Sequence, residues 1–174
     1  MTKEEIIEIW HGLMNSKTQF LWVITPSTAQ GKEELLKELE EKTSKKKGLI
    51  MGWVPQEEVL NHKAIGAFLT HSGWNSTLES VTCGVPMICW PYFADQQVNS
   101  RFVSEVWKLG LDMKDVCDRK VVEKMVNDVM VNRKEEFLRS AMEMAELAYK
   151  SVSPGGSSYN NFHNLIQFIR SASP

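Results

Sequence analysis

The chain has 174 residues, 43% of them apolar and 24% charged, the balance of a soluble globular domain with room for one core. Its formal net charge of −2 excludes a global field that would draw nucleic acid or an anionic membrane. No apolar run approaches the ~20 residues of a transmembrane span. The opening MTKEEIIEIW is acidic and amphipathic, unlike a signal peptide. Cys83, Cys89 and Cys117 are odd in number and form no CxxC pair, so they fit neither a disulfide framework nor a zinc site. A reducing, cytoplasmic setting is the simplest reading.

Thr2 and Glu5 fit a capping box, and Ile6, Ile9, Trp10, Leu13 and Met14 follow at helical spacing. They predict a helix that stops near Asn15. The run at 20–24 is continuously apolar and rich in β-formers, which predicts a strand buried on both faces. Residues 26–31 read as a loop, and 32–42 as a charged helix with Leu35, Leu36 and Leu39 on one side. Lys45, Lys46 and Lys47 read as a solvated loop rather than a phosphate contact. A second strand follows at 48–51, a turn at 53–56 and a helical turn at 57–61. The third strand is 66–70, and a helix over 75–81 ends at Gly84 and Pro86. Residues 87–90 predict the fourth strand, and 91–95 a loop. A helix is predicted over 96–109, with Val98, Phe102, Val103, Val106 and Trp107 as its apolar face. A short strand at 110–113 precedes helices at 118–131, 134–152 and 157–170, the last two broken apart by Ser153, Pro154, Gly155 and Gly156.

Strands alternating with helices predict an α/β, doubly wound, mostly parallel sheet, whose ligands sit beyond the carboxyl ends of the strands. Three such ends, at 53–56, 71–76 and 91–96, face one crevice. The stretch THSGWNSTLES at 70–80 is a strand, a turn and a helix start, which together make an anion site. Ser72, Asn75, Ser76 and Thr77 offer donors beside the free amides, and Gly73 lets the backbone approach a ligand. Glu79 lies one turn along this helix. A carboxylate near a phosphate site suits hydroxyl donors such as those of ribose. His11, His62 and His163 stand alone and read as surface or core residues.

Trp53, Pro55, Gln56, His71, Gly73, Trp74, Asn75, Ser76, Glu79, Gly84, Pro86, Pro91, Asp95 and Gln96 form one long ordered pattern. It resembles the donor-sugar signature of plant UDP-dependent glycosyltransferases of small molecules, the family 1 enzymes of GT-B fold. The resemblance covers nearly the whole chain, but only the C-terminal, donor-binding half of a family enzyme. It implies that Trp53 stacks on uracil, while the backbone at Val54 meets the uracil edge. Gln56 lies near base and ribose, or else only caps the next turn. Glu79 takes the ribose hydroxyls. His71, beside the helix start, donates to the diphosphate and stabilises the leaving UDP. Asn75 and Ser76 donate to phosphates or sugar, with helix capping as their bland role. Trp74 packs in the core with its backbone near the ligand. Ser72 has a small-residue packing role. Asp95 and Gln96 read the hexose, Gln96 being usual in glucose-transferring members.

The same resemblance implies UDP-glucose as donor substrate, inversion at the anomeric carbon, and no metal or other cofactor. The general base lies in the other domain, so no catalytic residue is expected in this chain. Residues 1–174 then make one UDP-sugar-binding domain, expected to bind the donor but not to catalyse by itself. The N-terminal acceptor-binding domain and a central first strand are expected to be absent, leaving an incomplete sheet open to self-association. A C-terminal helix at 158–172 would pack on that absent domain. An alternative stays open: a non-catalytic truncated module acting by nucleotide binding or self-association.

Overall fold

The structure, a computed structural model, describes residues 1–114 and 117–172. Helix α1 (Lys3–Asn15) starts at the capping box read from the sequence. Thr2 N donates to Glu5 Oε2 at 2.7 Å, and Glu5 N donates to Thr2 Oγ1 at 3.2 Å. Then follow β1 (Phe20–Val23), α2 (Pro26–Ala29), α3 (Glu33–Lys42), β2 (Gly48–Met51), α4 (Gln56–Leu60), β3 (Phe68–Thr70), α5 (Trp74–Thr82), β4 (Met87–Cys89) and α6 (Gln96–Arg101). Beyond them lie β5 (Gly110–Asp112), α7 (Arg119–Asn127), α8 (Lys134–Val152) and α9 (Ser157–Ala172).

Every strand pairing among the described residues is parallel, as the alternation predicts. Yet the strands form two sheets. β1 pairs with β2, Phe20 facing Gly48. β3, β4 and β5 pair in that order, Phe68 facing Met87 and Met87 facing Gly110. No ladder joins β1 to β3. A cavity of about 380 Å³ occupies that gap, lined by Phe20, Trp22, Phe68, Leu69, Ile88 and Trp90 among others. The incomplete sheet expected from the sequence is therefore a break in the middle. The break also corrects the reading of 20–24 as buried on both faces. All four residues of β1 are only half-buried, because one edge of the strand has no neighbour.

The core joins the two sheets from behind. Ile9 and Leu13 of α1 pack with Val122 and Val126 of α7, Ile88, Trp90 and Phe137. A second cluster holds Val81, Met87, Cys89, Val103, Leu109 and Ala141. α1 and α7 touch closely because position 12 is glycine. A Cβ there would lie 2.5 Å from Val122 Cβ and 2.9 Å from the Arg119 carbonyl oxygen. Alongside, Glu8 takes a forked bond from the Arg119 guanidinium, and its Oε2 also accepts from Arg119 N at 2.9 Å.

Several sequence expectations are corrected. Residues 26–29 are helical rather than loop, with Pro26 at the first position, where its missing N–H would go unbonded anyway. Lys47 is no solvated lysine. Its Nζ donates to the carbonyls of Ser16 and Thr18, tying β2 to the end of α1, and burial pulls its pKa below the usual lysine range. The helix predicted over 96–109 ends as α at Arg101 and continues as a π turn, Phe102–Val106; the one predicted over 118–131 does the same at Asp128–Asn132. Of the face assigned to 96–109, Val103 is buried, whereas Val98, Phe102 and Val106 are exposed. α9 buries no residue, and Phe162, Leu165, Phe168 and Ile169 are exposed along it. Among the described residues no helix is long and apolar enough to cross a membrane.

Gly12→Ala tests the α1–α7 contact. The helix-propensity gain of up to about 1 kcal/mol is outweighed by overpacking of about 1–3 kcal/mol, since backbone at Arg119 cannot give way, so the urea midpoint falls. The ion pair gives a pH test. Bonds from Arg119 hold the Glu8 carboxyl at about 2, below its ordinary 4.5. Its contribution is therefore complete above pH 4.5 and lost as pH falls through about 2. Arg119→Met flattens that part of the acid-unfolding curve, read by circular dichroism.

Candidate functional site

β3 ends at Thr70, and α5 begins at Trp74 after a turn of three residues. The turn between them is tight. Ser72 adopts φ +63°, a left-handed conformation that a non-glycine residue holds only when its surroundings demand it. Ser72 N donates to Thr70 Oγ1 at 3.2 Å, and Ser72 O accepts from Asn99 Nδ2 at 2.9 Å. Gly73, by contrast, has ordinary extended angles, φ −60° and ψ 148°. Its reason is space: a Cβ there would sit 2.5 Å from His71 Nε2. The glycine at this turn serves the imidazole, not the backbone torsion.

Gly73 caps α5 without any side-chain bond, and Thr77 N is the first amide to reach a carbonyl, that of Gly73 at 2.9 Å. The N–H groups of Trp74, Asn75 and Ser76 have no acceptor among the described residues. They point outward at the positive end of the helix, with exposed His71 and Asn75 and half-buried Ser76 around them. Ser72 and Thr77 do not join this donor set. Both are fully buried with hydroxyls turned inward, that of Ser72 toward the Cys89 thiol and that of Thr77 without a partner among the described residues, so the reading of them as ligand donors is corrected, while the packing role of Ser72 stands. Trp74 is corrected too. It is 47% exposed, because the first turn of α5 projects past the carboxyl ends of β3 and β4.

The carboxyl end of β2 meets this helix. Gln56 opens α4, but Pro55 occupies the cap, so Gln56 is not a capping residue. Its Nε2 donates instead to Glu79 Oε2 at 2.5 Å and to Ser76 Oγ at 3.3 Å. That bond orients Glu79 one turn above the free amides and leaves its other oxygen as an acceptor. Beside the pair opens a cavity of about 680 Å³ lined by Pro55, Gln56, Glu57, Glu58, Asn61 and Glu79. Val54 is half-buried along the gap between the sheets. Trp53, just past β2, is 73% exposed, and no hydrogen bond or ring contact among the described residues ties it to the other candidates. Its indole face is free for a planar ligand.

The carboxyl end of β4 closes the far side. Gln96 is buried, and its Oε1 accepts from Tyr92 N at 2.8 Å and Phe93 N at 3.2 Å. The carbonyl of this amide shapes the loop, and its NH₂ has no partner among the described residues. Asp95 is exposed at the start of α6, makes no cap bond, and accepts from Asn99 Nδ2 at 2.8 Å. Asn99 was not singled out in the sequence; its spacing of four from Asp95 on a helix is the signal that could have found it. Burial pushes the Cys89 thiol, behind the turn, up to about 11, which keeps it protonated and unreactive. Among the described residues no group of three or more His, Cys, Asp or Glu could hold a metal ion.

Three comparisons bear on this arrangement. Residues 1–149 match the family model described as UDP-glucoronosyl and UDP-glucosyl transferase. A 7-deoxyloganetic acid glucosyltransferase from Catharanthus roseus is 59% identical, the match covering 98% of this chain and 36% of the relative. A myricetin 3-O-rhamnoside 1,2-glucosyltransferase from Crocosmia x crocosmiiflora is 55% identical, over 99% of this chain and 36% of the relative. The chain thus spans little more than a third of the length of these relatives. Among solved structures, Os79 from O. sativa in complex with UDP superposes with a TM-score of 0.86 at 36% identity, over 95% of this chain and 37% of that one. A UDP-glucose: anthocyanidin 3-O-glucosyltransferase in complex with UDP gives 0.89 at 31% identity, over 98% and 38%.

Gly73→Ala tests the turn. It drives the His71 ring off the helix start without straining the backbone. Affinity for inorganic pyrophosphate, measured by calorimetry, falls about tenfold, the size of one hydrogen bond to a charged group. An unchanged affinity would remove His71 from the anion site.

Proposed function

This chain belongs to the UDP-glucoronosyl and UDP-glucosyl transferase family, as a C-terminal portion of a plant family 1 enzyme, and we propose that it is the donor-binding part of an inverting UDP-glucosyltransferase acting on hydroxyl groups of small molecules. The observation that carries this reading is the uncapped start of α5, with Glu79 held one turn above it by Gln56. Free amides and His71 meet the diphosphate, and the open carboxylate oxygen of Glu79 accepts from the ribose hydroxyls. Trp53 stacks on the uracil, an interaction of roughly 1–3 kcal/mol, and the Val54 backbone meets the base edge. Asn75 and Ser76 donate to phosphate or sugar. Gln96 NH₂ and the Asp95 carboxylate recognise the hexose hydroxyls.

The chemistry follows from that placement. Negative charge grows on the departing diphosphate as the bond to the anomeric carbon breaks. Donors fixed beforehand at α5 stabilise it more than they stabilise the intact donor. No metal is needed in this scheme, because backbone dipoles and an imidazole N–H carry the compensating charge. No residue here is proposed as the base that deprotonates the acceptor. The isolated chain therefore binds the donor without turning it over, and a cytoplasmic setting suits its reduced cysteines.

A second reading rests on a different observation. α9 buries nothing, and β1 and β3 each keep an open edge. These features support a non-catalytic module that acts by nucleotide binding or self-association.

Amide-resolved NMR with UDP and then UDP-glucose separates the two. Donor binding shifts residues 53–56 and 71–79 with either ligand, and Asp95 and Gln96 further with UDP-glucose. Trp53→Ala and Glu79→Ala each weaken UDP by about tenfold. A chain that self-associates in ultracentrifugation but ignores both nucleotides overturns the first reading in favour of the second. Glucosyl transfer by this polypeptide alone overturns its assignment as donor-binding part only.

A further inference from the structure

The sugar-facing loop and the anion turn are separate in sequence, and one side chain hydrogen-bonds to both. Asn99 is 8% exposed, in the first turns of α6. Its Nδ2 donates to the Ser72 carbonyl at 2.9 Å, across 27 residues of sequence, and to Asp95 Oδ2 at 2.8 Å. Both partners are acceptors only, so the group facing them must be the NH₂, and its two hydrogens are both used.

We propose that Asn99 is a positioning residue that sets the register between the diphosphate turn after β3 and the hexose loop after β4. The inference rests on the donor-site reading above. In a sugar nucleotide the hexose is covalently joined to the diphosphate. The two recognitions can be satisfied together only at one separation, and an error of an ångström forfeits the alignment. Asn99 fixes that separation from behind, without touching the donor. On one side it holds the carbonyl of Ser72, whose left-handed backbone persists only because its neighbours over-determine it. On the other it occupies one oxygen of Asp95 and so directs the second outward. Gln96, on the same turn of α6, locks the loop through Tyr92 N and Phe93 N. The phosphate and sugar contacts thus share one rigid mount. Side chains of similar size do not reproduce the bridge. Aspartate has the shape but would face two oxygens with a third. Leucine has no donor, and serine has one hydrogen for two acceptors.

The test uses the whole chain, with Asn99→Asp and Asn99→Ala, and UDP and UDP-glucose as probes. Without ligand, Asn99→Asp shifts the amides of Ser72 and Gly73 as well as that of Asp95. In calorimetry, UDP-glucose affinity falls about tenfold or more, and further than UDP affinity, so any preference for the sugar nucleotide shrinks. A purely structural asparagine would lower the unfolding midpoint and weaken both ligands by one common factor; that result overturns the proposal. Shifts confined to residues 95–103 overturn it as well. An unsubstituted chain that binds neither nucleotide sinks the donor reading, while the ligand-free shifts still decide the bridge. Should Asn99→Asp not fold, Asn99→Ala removes the same two bonds without adding charge, and the same comparisons apply.

Discussion

The site hangs on the parallel ladder between β3 and β4. A helix start binds an anion only if its free amides are aimed at one fixed point, and a helix of nine residues has little stiffness of its own. Here α5 leaves β3 after a three-residue turn and is returned to β4 by a buried bond, Ser80 Oγ to Val85 O at 2.7 Å. The ladder is continued at both ends, by Phe68 N to Pro86 O at 2.9 Å and Trp90 N to Thr70 O at 2.8 Å. β5 buries the far edge of β4, whose three residues are all buried. Apart from Trp53 and Gln56, which follow β2, the site is carried on the turns and helices that leave this frame at its carboxyl edge.

The division of labour among the polar residues is one of support and contact. Gln56, Gln96 and Asn99 each spend part of an amide on the protein. Gln56 steadies Glu79, Gln96 shapes the loop before α6, and Asn99 spans the crevice floor. What remains open to a ligand is sparse: the indoles of Trp53 and Trp74, the His71 imidazole, the Asn75 side chain, three backbone amides, and the carboxylates of Glu79 and Asp95. A polar group whose partner geometry is already set loses little freedom when a ligand arrives. That suits a net-negative domain whose proposed ligand is itself net-negative, leaving only local donors to hold it.

Much of this was legible in the sequence, for identifiable reasons. The alternation of apolar runs and amphipathic helices marks a parallel α/β domain, and the capping box at Thr2 and Glu5 is realised atom for atom. The three strand ends do converge. The errors lie where tertiary context overrides pattern. The apolar run at 20–24 looks like a central strand, and its composition is that of one, but burial depends on a neighbour that composition cannot supply. Trp74 reads as core by type, yet its position beyond the strand ends exposes it. The strain at the turn falls on Ser72, although a reader would place it on the adjacent glycine; only the 2.5 Å contact with His71 explains why position 73 has no side chain. Asn99 was invisible because its significance depends on two partners, one of them far away in the chain.

The gap between the two sheets also bears on how the molecule opens. β1 and β2, with α3 and the first half of α1, make one small hydrophobic cluster around Ile6, Trp10 and Leu39. The strands that carry the site belong to the others. No backbone ladder crosses from one side to the other, so cooperativity passes through side chains: α1 along α7, Phe20 and Trp22 of β1 against the central core, and Gln56 bonded to α5. Hydrogen exchange in such an arrangement divides into two foldons, with the β1–β2 side released at lower free energy than the β3–β5 side. The crevice draws residues from both, with Trp53 and Gln56 on the first and His71 to Asn99 on the second. A ligand in it therefore acts as a staple between two separately opening units, and slows exchange in strands that it never touches.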